Sequence, residues 1–185
     1  MLSINFEPFP ILETQNLRLR RFNIDDADAL FRLRADPETM QFIPRPLAKT
    51  IDDAKIQIAN IEAKITNNEG INWAISSKQH NNDFIGIIGH FLIKPEHFRS
   101  EIGYMLLPEY HGRGIITEAI KRVMEYGFDV LKLHSVEAII HPRNHASAEV
   151  LEKNGFVKEA HLRENRYYDG RFIDTVIYSH LNPNK

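Results

Sequence analysis

The stretch Glu101-Ile102-Gly103-Tyr104-Met105-Leu106-Leu107, followed by Pro108-Glu109-Tyr110-His111-Gly112-Arg113-Gly114 and then Ile115-Ile116-Thr117-Glu118-Ala119, decides the fold. Ser100 to Leu107 reads as a strand, and Pro108 stops it. Beyond Gly114, the series Ile116, Ala119, Ile120, Val123, Met124 and Phe128 falls on one face of a long helix. A glycine-flanked turn that opens a helix leaves the first backbone N–H groups unpaired at the positive end of the helix dipole. That arrangement suits a phosphate or pyrophosphate, and Arg113 adds charge. The same two glycines are also accounted for by a tight turn that needs positive φ and nothing more. The turn lacks both the Lys-Ser/Thr pair of a nucleoside-triphosphate loop and the third glycine of a dinucleotide fingerprint, which disfavours kinases and dehydrogenases.

Working outward toward the N-terminus, alternation in Leu17, Arg18, Leu19 and Arg20 predicts a first strand. Asp25 and Asp26 then stand where helix N-caps belong, ahead of Ala27, Leu30, Phe31 and Leu33. Thr50 and Asp53 have capping-box spacing, and Ile51, Ala54, Ile58, Ile61 and Ile65 mark a second helix running to about Asn67. Ile71 to Ser76 and Phe84 to Leu92 read as a hairpin across a polar segment with Asn81, Asn82 and Asp83. Trp73, in the first of these strands, suits the core. Toward the C-terminus, Ser135 to Ile140 is a strand and Asn144 to Asn154 a helix, with Gly155 at its C′ position. Phe156 to His161 and Arg171 to Tyr178 close the chain as strands joined through Asp169 and Gly170. The expectation is about seven strands and about four helices, mixing hairpins with one β–α–β unit, which makes the chain α+β (mixed α/β) and not doubly wound.

Composition narrows the functions. At 185 residues one compact domain is expected, with no linker, repeat or low-complexity segment to divide it. Against 25 Asp and Glu stand 23 Lys and Arg, a net charge of −2, so no global field recruits nucleic acid or anionic lipid. With no cysteine, thiolate zinc sites, iron–sulfur clusters, disulfides and cysteine nucleophiles are excluded. The nine histidines show no helical ligand pair with a carboxylate partner, and His141 and His145 bracket Pro142, so no metal is expected. No basic residue precedes Arg18 and no apolar run approaches spanning length, so neither a signal peptide nor a membrane span is expected and the cytoplasm is the default.

Glu101 to Leu106, His111 to Ile116 and Thr117 to Ala119 together resemble the acetyl-CoA-binding segment of the GNAT acetyltransferase superfamily. Asn144, Ser147, Leu151, Lys153, Gly155 and Phe156 resemble its second cofactor segment. Arg163, Tyr168, Gly170, Asp174 and Tyr178 resemble its closing hairpin. The branch most similar is that of the ribosomal-protein N-terminal (alanine/serine) acetyltransferases, and the likeness runs from Leu17 to Leu181. Two positions depart from the usual pattern: His111 stands where Gln or Arg is common, and Ile116 where Gly or Ala is.

The resemblance implies a single N-acetyltransferase domain over residues 1–185, with its core over 17–181 and a mostly antiparallel, splayed sheet. It implies direct transfer of acetyl from acetyl-CoA to a primary amine, without an acyl-enzyme. His111, Gly112, Arg113, Gly114, Ile115 and Ile116 would hold the pyrophosphate, with the N–H groups of 112–116 as donors. Met105, Leu106 and Leu107 would offer a strand edge to the pantetheine arm, with a backbone N–H near Leu106 facing the thioester carbonyl. Asn144, Ser147 and Lys153 would complete the cofactor site. Glu101 would be the general base acting through water, Ser147 the group near the sulfur that returns a proton, and Tyr168 a lining or proton-donating residue at the acceptor pocket.

Each of these side chains also has a plainer reading: a solvated carboxylate for Glu101, a helix hydroxyl bonding backwards for Ser147, a half-buried strand residue for Tyr168. Glu118 reads as local support for its helix. The acceptor is expected to be the N-terminal amine of a protein, because Arg45, Arg163 and Arg166, accompanied by Glu164 and Asp169, make the substrate loops less acidic than a polyamine site. A polyamine or amino sugar is the alternative acceptor, and a catalytically silent acyl-CoA-binding module the alternative of another class. A monomer or homodimer is expected.

Overall fold

A computed structural model describes residues 1–79 and 83–184; the expected turn residues Asn81 and Asn82 lie outside them. In chain order the elements are β1 (Leu12–Glu13), β2 (Leu17–Arg20), α1 (Ala27–Ala35), α2 (Pro37–Met40), α3 (Ile51–Thr66), β3 (Ile71–Ser77), β4 (Phe84–Lys94), β5 (Arg99–Leu106), α4 (Ile115–Asp129), β6 (Ser135–Ile140), α5 (His145–Lys153), β7 (Val157–Tyr168) and β8 (Arg171–Leu181). All eight strands join one sheet in the order β1-β2-β3-β4-β5-β6-β8-β7. Only β5 and β6 run parallel, as the single β–α–β unit requires; every other neighbouring pair is antiparallel.

The α+β reading holds, with two short elements added to the expected count. β1 is two residues long, too short for any alternation, and exists because Leu12 and Glu13 find partners in Leu19 and Arg18. α2 is one turn, set by Pro37 at its start and by Asp36, whose Oδ2 accepts from the Thr39 amide at 2.6 Å. Asp26 stands at the N-cap position of α1, as expected, but without a side-chain cap bond. Asn23 caps the 3-10 turn Ile24–Asp26 that leads into the helix: its side chain accepts from the Asp26 amide at 3.2 Å, and the Asp26 carboxylate accepts from the Asn23 amide at 2.9 Å. Asp26 is buried because its two oxygens also take the Arg20 guanidinium as a fork, at 2.6 and 2.8 Å. Thr50 and Asp53 form the expected capping box of α3. Asp169 and Gly170, both at positive φ, make the two-residue turn between β7 and β8.

Helices cover both faces of the sheet. Trp73 on β3 packs edge-on against Tyr126 of α4 and donates to the Pro10 carbonyl at 2.7 Å, so it is a core residue as expected. Its neighbour Asn72, pointing the other way, lines a cleft shared with Gln57 and Ile61 of α3. Covered on both sides, β3 and the first seven residues of β4 are buried without interruption, polar Asn72, Ser76, Ser77 and His90 included, instead of alternating between core and solvent. Between β4 and α4 sits His90, fully buried, its Nδ1 at 2.8 Å from the Ser100 hydroxyl and its Nε2 donating to the Val123 carbonyl at 3.2 Å. Glu118, in the first turn of α4, accepts from both the amide and the side chain of Asn16 at 3.0 Å, the local support expected of it.

Candidate active site

The site begins with a failure of pairing. β5 and β6 are in register at only three positions, Arg99 with Ser135, Ser100 with Val136 and Glu101 with Glu137. From Ile102 onward β5 stays with β4, while β6 stays with β8. The strands part where β4 carries an extra residue, Phe91, between the partners of Ile102 and Glu101, and a bulge of this kind bends and twists the strands beside it. The Leu107 amide donates to Ile85 on the β4 side at 2.9 Å. Alternation along an antiparallel ladder then directs the amides of Met105 and Gly103 to β4 and those of Leu106 and Tyr104 into the gap. The Leu106 carbonyl, on the gap side, accepts from His111 Nε2 at 2.9 Å, leaving the Leu106 N–H facing the opening.

At the end of β5 the glycine turn opens α4. Gly112 and Gly114 have φ of +72° and +74°, and a Cβ at either would meet nothing within 4 Å. Glycine is therefore required by the backbone conformation and not by crowding, and the space before the turn is open. Among the described residues no protein acceptor engages the amides of 112–117, and α4 has no side-chain cap; the first intrahelical bond is Glu118 to Gly114. Glu118 turns away to Asn16, so no carboxylate occupies the positive end of the helix. Arg113 stands over the Tyr110 ring, 5.5 Å from its centre.

The opposite wall is α5. Asn144 is its N-cap, with Oδ1 accepting from the Ser147 amide at 3.2 Å. The Ser147 carbonyl lies 3.5 Å from the Tyr104 hydroxyl, and the Ser147 side chain also interacts with that hydroxyl. Between the walls lies a cleft of about 1270 Å³ lined by Glu101, Met105, Leu106, His111, Gly112, Arg113, Gly114, Ile115, Ile116, Asn144, Ser147 and Lys153. One set of walls thus brings together a free strand edge, an uncapped helix start and a second helix presenting a hydroxyl. Phe42, after α2, stacks on His141, after β6, with ring centres 5.3 Å apart, and both rings line the cleft.

Glu101 sits where the gap starts. Burial, helped by the neighbouring Glu137 carboxylate, raises its pKa to about 7, with Lys94, Arg166 and Arg45 pulling the other way. Glu137 is itself buried and held by Arg99. Tyr104, in the same cleft, is pushed up to about 12 by burial and stays protonated.

Two expected residues do not join the cleft. Leu107 is buried in the core, and alternation along β5 directs its amide to Ile85 on the β4 side, away from the gap. Tyr168 does not line the cleft; it is half-buried on β7, within electrostatic range of Arg34. His111 lines the cleft, but its amide donates to Pro108 at 3.0 Å and its ring to Leu106, so it closes the turn. Arg34, Phe42, Glu137 and His141 belong to the site's walls or surroundings, and no motif in the sequence assigns them there. Tyr104 falls within the Glu101–Leu106 segment, but nothing in the sequence singles out its side chain. Among the described residues no three His, Asp or Glu gather as a metal site, and no helix is long and apolar enough to cross a membrane.

A splayed mixed sheet whose gap runs into a glycine turn and an uncapped helix defines an acyl-CoA-binding N-acetyltransferase domain. A family model of the acetyltransferase (GNAT) domain matches residues 16–157, and the chain belongs to that family. It is 35% identical to the uncharacterized N-acetyltransferase YoaA of Bacillus subtilis over 95% of this chain and 98% of the relative. Spermidine N(1)-acetyltransferase of Escherichia coli is 31% identical over 49% of each chain. Among solved structures, RimL, a ribosomal L7/L12 alpha-N-protein acetyltransferase in complex with coenzyme A, superposes with a TM-score of 0.85, covering 95% of this chain and all of that one at 18% identity, a likeness of fold. The protein is an acetyl-CoA-dependent N-acetyltransferase.

Proposed function

We propose that the acceptor is the N-terminal α-amine of a protein or peptide, and that the cleft residues divide the work of transfer as follows. The amides of 112–116 and Arg113 hold the pyrophosphate, and the exposed edge of β5 at Tyr104 and Leu106 pairs with the amide-bearing arm as a further strand would. The Leu106 N–H, aimed into the gap, then meets the thioester oxygen as charge develops on it; one preorganised donor of this kind is worth a few kcal/mol, about 3, to the transition state. Glu101 accepts the proton of the attacking amine through a water molecule. The new N–C bond forms as the C–S bond breaks, and the departing thiolate takes a proton by way of the Ser147 hydroxyl.

A base with a pKa of about 7 suits proton removal near neutral pH, because about half of it is ionised there and it is more basic than an ordinary carboxylate. An α-amine, with a reference pKa near 8, yields its proton more readily than a lysine near 10.4. The observation that carries the choice of acceptor is the pair of guanidinium groups, Arg34 and Arg45, that line the cleft without an ion pair among the described residues. A polyamine, with several positive charges, would be repelled there. The test is acetyl transfer from labelled acetyl-CoA to a panel of N-terminal peptides, polyamines and amino sugars, with the product located by mass spectrometry. Acetylated peptide α-amines support the reading; turnover confined to spermidine or an amino sugar overturns it and favours the half-length kinship with the spermidine enzyme.

A further inference from the structure

The transfer chemistry makes no use of Arg34, yet this residue is a half-buried cation of the cleft with no ion pair among the described residues. It stands in the last turn of α1 and lines the cleft beside Arg45. Its Nη1 reaches only the Met40 sulfur, at 3.3 Å, and its Nε is shut off from water without an acceptor. No carboxylate among the described residues lies within ion-pair distance of it. Two other buried guanidinium nitrogens lack a hydrogen bond, on Arg18 and Arg99, but those side chains have Glu13 and Glu137 as counter-ions. Burial, with the charge of Arg45 added, lowers the Arg34 pKa, and only Tyr168 acts in the other direction. Of the nearby acids, Asp53 is committed to the amides of Lys49 and Thr50 at 2.8 and 3.0 Å, and Glu38 lines the cleft without forming an ion pair.

A half-buried guanidinium without a counter-ion is costly, and a carboxylate arriving in its plane relieves that cost through paired, charge-assisted hydrogen bonds. Arg34, Arg45 and Glu101 line one cleft, with Arg45 in electrostatic range of the other two, so an acceptor whose amine is at the base extends along the wall that carries Arg34. We infer that Arg34, assisted by Arg45, is an anion subsite for the acceptor, selecting N-termini whose second or third residue is Asp or Glu. This rests on the α-amine reading above and adds a specificity that the reading alone does not contain.

The experiment compares kcat/KM for peptides identical except for Asp, Asn or Lys at the second or third position, with wild type, Arg34→Gln and the solvent-facing Arg45→Ala. The acidic peptide should be preferred over its amide isostere by about tenfold to a hundredfold, the range expected of a charge-assisted contact. The preference should fall toward unity in Arg34→Gln, fall partway in Arg45→Ala, and shrink as salt is raised. Should Arg34→Gln not fold, the Arg45→Ala ratio and the salt dependence of wild type decide. Equal rates on Asp and Asn peptides overturn the subsite while leaving α-amine acetylation standing. Failure to acetylate any peptide overturns the reading beneath it, and faster acetylation of phosphoethanolamine than of every peptide overturns the peptide as source of the anion.

Discussion

Glu101 shows how one side chain takes its character from two strands. Its place at the start of β5 is legible in the sequence, and so is its candidacy as a base. What raises its pKa is not legible: burial between the strands is the larger cause, and Glu137 comes beside it only because β6 returns parallel to β5 and stops pairing at that level. Replacing Glu101 with Gln keeps shape and polarity while removing the base, so kcat should fall about 10²-fold with little change in affinity for CoA. In wild type, kcat/KM should climb with pH through about 7 as the carboxylate ionises, and this limb should vanish in Glu101→Gln. The sign for stability is the opposite. A carboxyl whose pKa is raised on folding contributes its full share below the unfolded value of about 4.5 and loses it as pH rises through about 7, so Glu101→Gln should be relatively more stable than wild type at pH 8 than at pH 4. Urea midpoints at the two pH values measure this.

Among the elements, α4 carries most of what the sequence announces. Its apolar face and the two glycines before it follow from local periodicity and backbone conformation, and both stand in the structure. Leu107 misleads for a reason of the same scale: extending β5 by one residue places a core side chain in the site, since one step along a strand reverses its direction. Asn23 is hard to recognise as a cap because Asp25 and Asp26 are equally good capping residues, and only the Arg20 fork shows that Asp26 is needed elsewhere.

Gly127, in the interior of α4, supplies a prediction that helix propensity alone would get wrong. Gly127→Ala ought to stabilise an exposed helix by about 1 kcal/mol. Here the new Cβ would lie 2.8 Å from His90 Nε2, and the ring cannot swing aside because both its nitrogens are bonded. The substitution should therefore destabilise the protein, by about 1 to 3 kcal/mol on the scale of overpacked cores, read as a lower urea midpoint.

At the scale of the molecule, the sheet is two stiff portions, β1 to β5 and β6 to β8, joined by three residue pairs. No sequence pattern announces that junction, since the residues beyond it are as strand-like as those within it; only the likeness to a known family foretells the splay. The junction has a price in solubility. An interrupted ladder in the middle of a sheet leaves the backbone N–H groups of Tyr104 and Leu106 and the Tyr104 carbonyl open to any extended chain, the hazard ordinarily confined to outer strands. Coenzyme A, by pairing with that edge, would act as a plug against self-association as well as a reactant. On incubation just below the melting temperature, light scattering should grow more slowly with CoA present, and by more than an equal gain in melting temperature from a stabilising osmolyte achieves, because only CoA hides the open strand.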